Sequence, residues 1–168
     1  MIRKPKMYVR PKKLYQSSRI AEENILKEKY GLKNKKEIWK TNAKLGYFRR
    51  RAKSLARSSL EEQEVLFRKL QNLGLKTSTI SEVLALKIED ILERRLPTVL
   101  LRKGLANTSR QARQLVTHKK VTIDGKIVNI PSYIVSISEE NKIKVGVDVM
   151  KKEIAPGKPE VEEEEAAK

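Results

Sequence analysis

Residues 99–128, VLLRKGLANTSRQARQLVTHKKVTIDGKIV, decide the fold, because inside this stretch the hydrophobic pattern changes from a helical to an extended period. Val99, Leu100 and Leu101 lead to Gly104, a helix stop. Thr108 with Gln111 three residues later is a capping pair, and Ala112, Leu115 and Val116 follow at helical spacing. After His118 the period drops to two. Val121-Thr122-Ile123, the turn pair Asp124-Gly125 and Lys126-Ile127-Val128 spell a hairpin. Two packed helices feeding antiparallel strands make a small α+β unit.

Downstream, Ile134 to Ile137 and Lys142 to Val147 alternate around a polar turn at Ser138 to Asn141, which predicts two more strands, with Pro131 marking their entry. From Pro156 the chain is rich in proline and glutamate and reads as a disordered tail. Upstream, the pattern is helical. One helix starts near Ser18, carries a broken stripe of Ile20, Ile25 and Leu26, and stops at Gly31. Asn34 with Glu37 fits a capping box ahead of Ile38, Leu45, Phe48, Ala52 and Leu55, a run that continues to about Arg57. Ser59 with Glu62 fits a second box, before Leu66, Leu70, Leu73 and a stop at Gly74; Thr79 with Glu82 fits a third. The leucine-dense VLALKIEDILERRL then predicts two short helices with a bend near Lys87, and Pro97 fits a first helical turn. Met1 to Lys13, basic and holding two prolines, predict an extended arm that orders on a partner.

The organisation expected is therefore α+β in four parts. A basic extended arm (1–17) and a helical domain (18–93) precede a compact module (94–150) of two short helices packed on an antiparallel sheet, and an acidic tail (151–168) follows.

Charge supplies the functional direction. The 168 residues carry a formal net charge of +17 with 35% charged side chains. Segment by segment the net charge is +15 over 1–57, −3 over 58–93, +7 over 94–150 and −2 over 151–168. Two basic blocks of this size repel themselves unless a polyanion neutralises them, and nucleic acid or an anionic membrane are the common polyanions. No run of about 18 apolar residues, signal-peptide core or lipidation motif is present, so a cytoplasmic chain that binds nucleic acid is expected. With no cysteine and a single histidine, neither a disulfide, a cofactor nor a thiolate or histidine metal centre is expected.

On the second helix of the module, Arg110, Arg113, Gln114 and Thr117 fall away from the apolar stripe, and Lys119 and Lys120 extend that face. Arg94, Arg95, Arg102 and Lys103 come from the helix before it. Arginine forks match phosphate, so the pair of helices reads as a phosphate-facing surface, against the plain alternative of a solvated charge run. The N-terminal block adds Arg3, Lys4, Lys6, Arg10, Lys12 and Lys13 from the arm, and Lys44, Arg49, Arg50, Arg51, Lys53 and Arg57 from the long helix. His118 reads either as a base or phosphate contact or as a packing and capping residue, with the second preferred. At 5% aromatic residues, stacking on single-stranded bases is not expected to dominate, and Trp39, Tyr47 and Phe48 are expected in the core. Recognition by shape and phosphate is the mechanism expected for a folded RNA.

IEDILERRLPTVLLRKGLANTSRQARQLVTHKKVTIDGKIVNIPSYIVSI (residues 88–137) resembles the S four (S4) RNA-binding domain of the small-subunit ribosomal protein S four family. The elements that carry the resemblance are RKGLA, the ARQLV helix with its following histidine, the hairpin turn at DG, and PSY. RIAEENILKEKYGLKNKKEIWK and DILERRL resemble the archaeal and eukaryotic branch, so the likeness covers about residues 1–150. It implies a structural constituent of the small ribosomal subunit that grips a junction in the 5′ domain of ribosomal RNA, nucleates assembly of the subunit body and contributes to translational accuracy. It also implies ribosomal proteins S five and S three as neighbours, near the messenger-RNA entry path. Carried over as RNA-facing are Arg102, Arg110, Arg113, Gln114, His118 and Lys119. Many archaeal members have glycine where this chain has Lys119, and the zinc knuckle of many bacterial members is missing here.

The same domain also delivers RNA to catalytic domains, but no paired carboxylates, phosphate-cradling glycine loop or nucleophile arrangement signals an enzyme. A non-ribosomal RNA chaperone or assembly factor is the rival reading.

Overall fold

The computed structural model describes residues 6–146. Arg3, Lys4, the end of the expected strand at Val147 and the acidic tail lie outside the described residues. Eight helices and three strands are described: α1 (Ser17–Lys29), α2 (Lys35–Leu55), α3 (Leu60–Asn72), α4 (Ile80–Ala85), α5 (Ile88–Glu93), α6 (Leu96–Arg102), α7 (Ser109–Thr117), β1 (Val121–Ile123), β2 (Lys126–Ile127), α8 (Ile137–Glu140) and β3 (Ile143–Val145). The chain is thus α+β, helical first and then a small antiparallel sheet in the order β2-β1-β3. Thr122 faces Ile127 on one side of β1 and Lys144 on the other. Asp124 and Gly125, both at positive φ (51° and 78°), close the hairpin as expected.

Helix ends follow one rule. After α1, α3, α6 and α7 the same pair of backbone bonds closes the last turn. Gly31 N–H donates to Glu28 O and Leu32 N–H to Lys27 O; Gly74 and Leu75 repeat this on Gln71 and Leu70, and Gly104 and Leu105 on Leu101 and Leu100. In α7 the bonds run from Lys119 to Val116 and from Lys120 to Leu115. This is the Schellman geometry, which needs a left-handed residue just past the helix. Glycine supplies it three times, and Lys119, at φ 60°, supplies it once.

Caps divide the expectations. Thr79 Oγ1 accepts from Glu82 N–H while the Glu82 carboxylate accepts from Thr79 N–H, so that box forms. Thr108 Oγ1 accepts from Gln111 N–H, and Gln111 reaches back one residue further, to Asn107 N–H. Asn34 and Ser59 stand at the N-caps of α2 and α3 without a side-chain cap bond. Glu37 is engaged elsewhere.

The strand expected over Ile134 to Ile137 is a correction. Ile134 forms a lone antiparallel bridge with Arg95, and Val135 N–H donates to Arg94 O. Ser136 then caps α8, with Glu139 accepting from Ser136 N–H at 3.0 Å. Ser136-x-x-Glu139 is a capping signal, and it wins over the short alternating run. Ile25 is also corrected: it is 66% exposed, and the buried member of α1 is Glu23, held by Arg19 at 2.6 Å and by the Trp39 indole N–H at 2.9 Å.

Three apolar clusters fill the interior. Leu45, Phe48, Ala52, Leu66, Leu70 and Val83 join α2, α3 and α4; Tyr30, Leu32, Ile38 and Leu92 join the α1–α2 turn to α5. Leu96, Val99, Leu100, Ala112, Val116, Val121 and Ile143 fasten α6 and α7 to the sheet. The turn after α1 sits directly on the start of α7, where a side-chain carbon on Gly31 would lie 2.9 Å from the Ser109 backbone.

Candidate nucleic-acid interface

The α7 cap and the burial of Ala112, Leu115 and Val116 fix which side of the helix faces out. Arg110, Gln114, Thr117, His118, Lys119 and Lys120 are exposed on that side. His118 is the C-cap: its backbone N–H donates to Gln114 O and its ring stays at the surface, so it caps through the backbone and still presents an imidazole to a partner.

Other arginines expected on this surface turn inward. Arg94 and Arg95 are 7% and 5% exposed. Arg94 Nη1 lies 2.8 Å from Glu140 and its Nη2 donates to Val135 O. Arg95 Nη2 lies 2.6 Å from Glu37, and the same guanidinium donates to Pro131 O. Arg113, half-buried, grips Glu37 with both Nη atoms at 3.1 and 2.8 Å. Arg102 pairs with Glu140 and keeps half of its side chain exposed, while Lys103 Nζ donates to Glu140 O.

Two carboxylates therefore organise four arginines, and Lys103 adds a bond to the Glu140 backbone. Burial pushes the Glu37 carboxyl up, but the guanidiniums of Arg113 and Arg95 overcome it and leave its pKa below the ordinary 4.5. Glu140 behaves alike: burial raises it, and Arg94 and Arg102 outweigh the burial. Neutralised inward arginines position the helices, and the cations that remain at the surface are the ones a phosphate can reach.

In the N-terminal block, Lys6, Arg10, Lys12, Lys13, Lys44, Arg50, Arg51, Lys53 and Arg57 are exposed. Arg49 is not grouped with them: its Nη2 donates to Leu86 O at 2.6 Å, satisfying the end of α4 where the chain turns extended. The arm is seated on α2 in part, with Tyr8 stacked on Trp39 at 6.3 Å and Lys36 4.8 Å above the Tyr8 ring.

A cleft of about 540 Å³ lies between the α1–α2 turn and α7. Lys27, Lys33, Arg110 and Arg113 line it, against one carboxylate, Glu28. The outward face of α7 thus continues onto the last turn of α1 and the connection to α2. Lys27 and Lys33 were not among the candidates named from sequence, and neither were Glu37 and Glu140. For the arginine pair a signal existed: Arg94 and Arg95 interrupt the apolar run ILERRLPTVLL on both flanks, which marks buried, paired charge. Tyr47, expected in the core, is 48% exposed beside the buried Phe48.

Comparison with known proteins finds chains similar in sequence. The model of the S4 domain family matches residues 94–141, from the inward arginines through α8. The chain is 45% identical over 141 residues to the small ribosomal subunit protein uS4 of Halobacterium salinarum, covering 82% of this chain and 83% of that one. To the protein of the same name from Methanococcus aeolicus it is 45% identical over 145 residues, covering 82% of each chain.

Proposed function

The chain belongs to the uS4 family of small ribosomal subunit proteins, in its archaeal-type branch, and from that premise we propose that it is a non-catalytic structural constituent of the small subunit that binds ribosomal RNA directly. The observation that carries the RNA reading is the separation of charge around α6 and α7: Arg94, Arg95 and Arg113 are paired inward to Glu140 and Glu37, and Arg110, Gln114, His118 and Lys119 face out. A rigid helix pair presenting fixed cations suits the phosphates of a folded junction, where shape rather than base sequence is read. The RNA-facing set is Arg110, Gln114, His118, Lys119 and Lys120, with Lys27, Lys33 and the half-exposed Arg102 beside them. The exposed cations of α2 and the arm form the second contact.

The site on the RNA is a junction in the 5′ domain, and occupation of it nucleates the body of the subunit. Ribosomal proteins S five and S three are the neighbours, on the messenger-RNA entry side, where the protein contributes to accuracy. Its location is the cytoplasmic ribosome.

The test is affinity for a 5′-domain transcript as a function of salt. Six to ten phosphate contacts lower affinity by roughly 10³ to 10⁵ between 50 and 200 mM salt. A flat response, or equal affinity for an unrelated RNA of the same length, contradicts the reading. A structural constituent also stays on the small subunit through a high-salt wash, whereas an accessory factor leaves.

A further inference from the structure

A second groove, of about 990 Å³, runs between the arm at residues 6–9, α2, the end of α3 and residues 131–134, and reaches the Glu37–Arg95–Arg113 cluster at one end. Its base is apolar, made by Phe48, Leu73, Ile91 and Ile134. Tyr47 stands at its side, its ring edge-on to Phe48 with centroids 5.8 Å apart. Lys44 from α2 and Lys69 from α3 line it together. Lys44 is exposed overall, yet partial desolvation against the groove first, and Lys69 second, lower its pKa from the ordinary 10.5. Neither lysine has a carboxylate partner among the described residues.

Two ammonium groups held near each other without a counterion are unfavourable, and an anion between them removes the penalty. An aromatic ring over an apolar base, beside that anion position, selects a ligand with a flat body and a charged end. Its volume is at the upper end of the roughly 300–1,000 Å³ usual for small-ligand clefts. Within a polyanion already bound to this protein, the group with that chemistry is a nucleotide whose base has left the helical stack.

We propose that this groove takes one unpaired nucleotide of the bound RNA, its base stacked on Tyr47 over Phe48 and Ile134 and its phosphate between Lys44 and Lys69. The inference rests on the RNA-binding reading above and adds a stacking contact to the phosphate contacts of α7.

The test uses the full chain and a 5′-domain transcript. Tyr47→Ala weakens binding about 5- to 150-fold, the equivalent of about 1–3 kcal/mol for one stacked base, and Tyr47→Phe, which keeps the ring, recovers most of the loss. Lys44→Gln with Lys69→Gln reduces the slope of log affinity against log salt by between about one and two. This pair also decides the matter should Tyr47→Ala lose its fold. If the Tyr47 and lysine variants bind like the parent while Arg110→Glu loses affinity, the groove assignment is overturned and RNA binding stands. If Arg110→Glu also binds like the parent, both readings fall. Free AMP, CMP, GMP or UMP shifting the Tyr47 ring resonances of RNA-free protein, with RNA affinity untouched in Tyr47→Ala, would assign the groove to a soluble nucleotide and overturn the proposal.

Discussion

Glu37 Oε2 accepts a hydrogen bond from Arg95 Nη2 at 2.6 Å, joining the first turn of α2 to the residue that precedes α6. Arg113 of α7 closes on the other side of the same carboxylate. One glutamate thus holds the long helix against both helices of the S four module. Removing it leaves two guanidiniums facing each other, one of them buried, which costs several kcal/mol in comparable settings. We expect Glu37→Ala to lower stability by about 2–4 kcal/mol, read as a lower urea midpoint at an unchanged slope. An unchanged midpoint would mean that the pair contributes nothing to the join.

The same carboxylate sets a pH dependence. Its pKa is depressed in the folded chain, because the pull of Arg113 and Arg95 exceeds the upward push of burial. A depressed carboxylate contributes stability that is present above its unfolded value and is lost as pH falls through the folded one. Glu140 and Glu139 are depressed as well. The urea midpoint should therefore hold steady from pH 7 to about 5.5 and decline below about 4.5. In Glu37→Gln the decline is shallower; an identical decline would assign the acid sensitivity to other groups.

Arg110 and Arg113 share a side of α7 in the sequence pattern, yet they have different work. Arg110 is exposed, while Arg113 is locked to Glu37. Arg110→Glu should weaken RNA binding at full stability. Arg113→Glu places a second carboxylate against Glu37 and should destabilise the chain by about 3–5 kcal/mol, so that its RNA defect is secondary to unfolding. Circular dichroism and urea titration separate the two. Equal stability in both variants would show that the Glu37 contact is not formed in solution.

That contrast shows what the sequence could carry. Periodicity placed α2, α3 and α7, their buried faces and the Asp124-Gly125 hairpin, because those features depend on neighbours within a few residues. Capping spacing was less decisive. Thr79-x-x-Glu82 forms its box, whereas in Asn34-x-x-Glu37 the carboxylate bonds two distant arginines, charge-assisted contacts that outcompete a backbone amide. Ser136-x-x-Glu139, of the same pattern, opens a helical turn inside what the alternation marked as a strand. Which arginines face inward depends on Glu37 and Glu140, 58 and 46 residues away from Arg95 and Arg94, and no local pattern encodes such a distance. Tyr47 was expected in the core, but its neighbour Phe48 takes the buried position and leaves Tyr47 half exposed beside a groove.

Lys119 holds two roles that substitution can separate. It occupies the left-handed position of a Schellman motif, where glycine serves α1, α3 and α6, and it belongs to the cationic face of α7. A side chain at φ 60° is strained by about 1 kcal/mol, partly offset by the freedom glycine gains in the unfolded chain. Lys119→Gly should therefore leave stability equal or raise it by up to about 1 kcal/mol, while the salt slope of RNA binding falls by about one. Lys119→Ala removes the same charge but keeps the strained backbone, so it should lose the slope without the gain. Stability rising in glycine alone, with affinity falling in both, is the expected result. Equal urea midpoints for glycine and alanine would show that the backbone at this turn stores no strain, and an unchanged slope in both would remove Lys119 from the RNA contact.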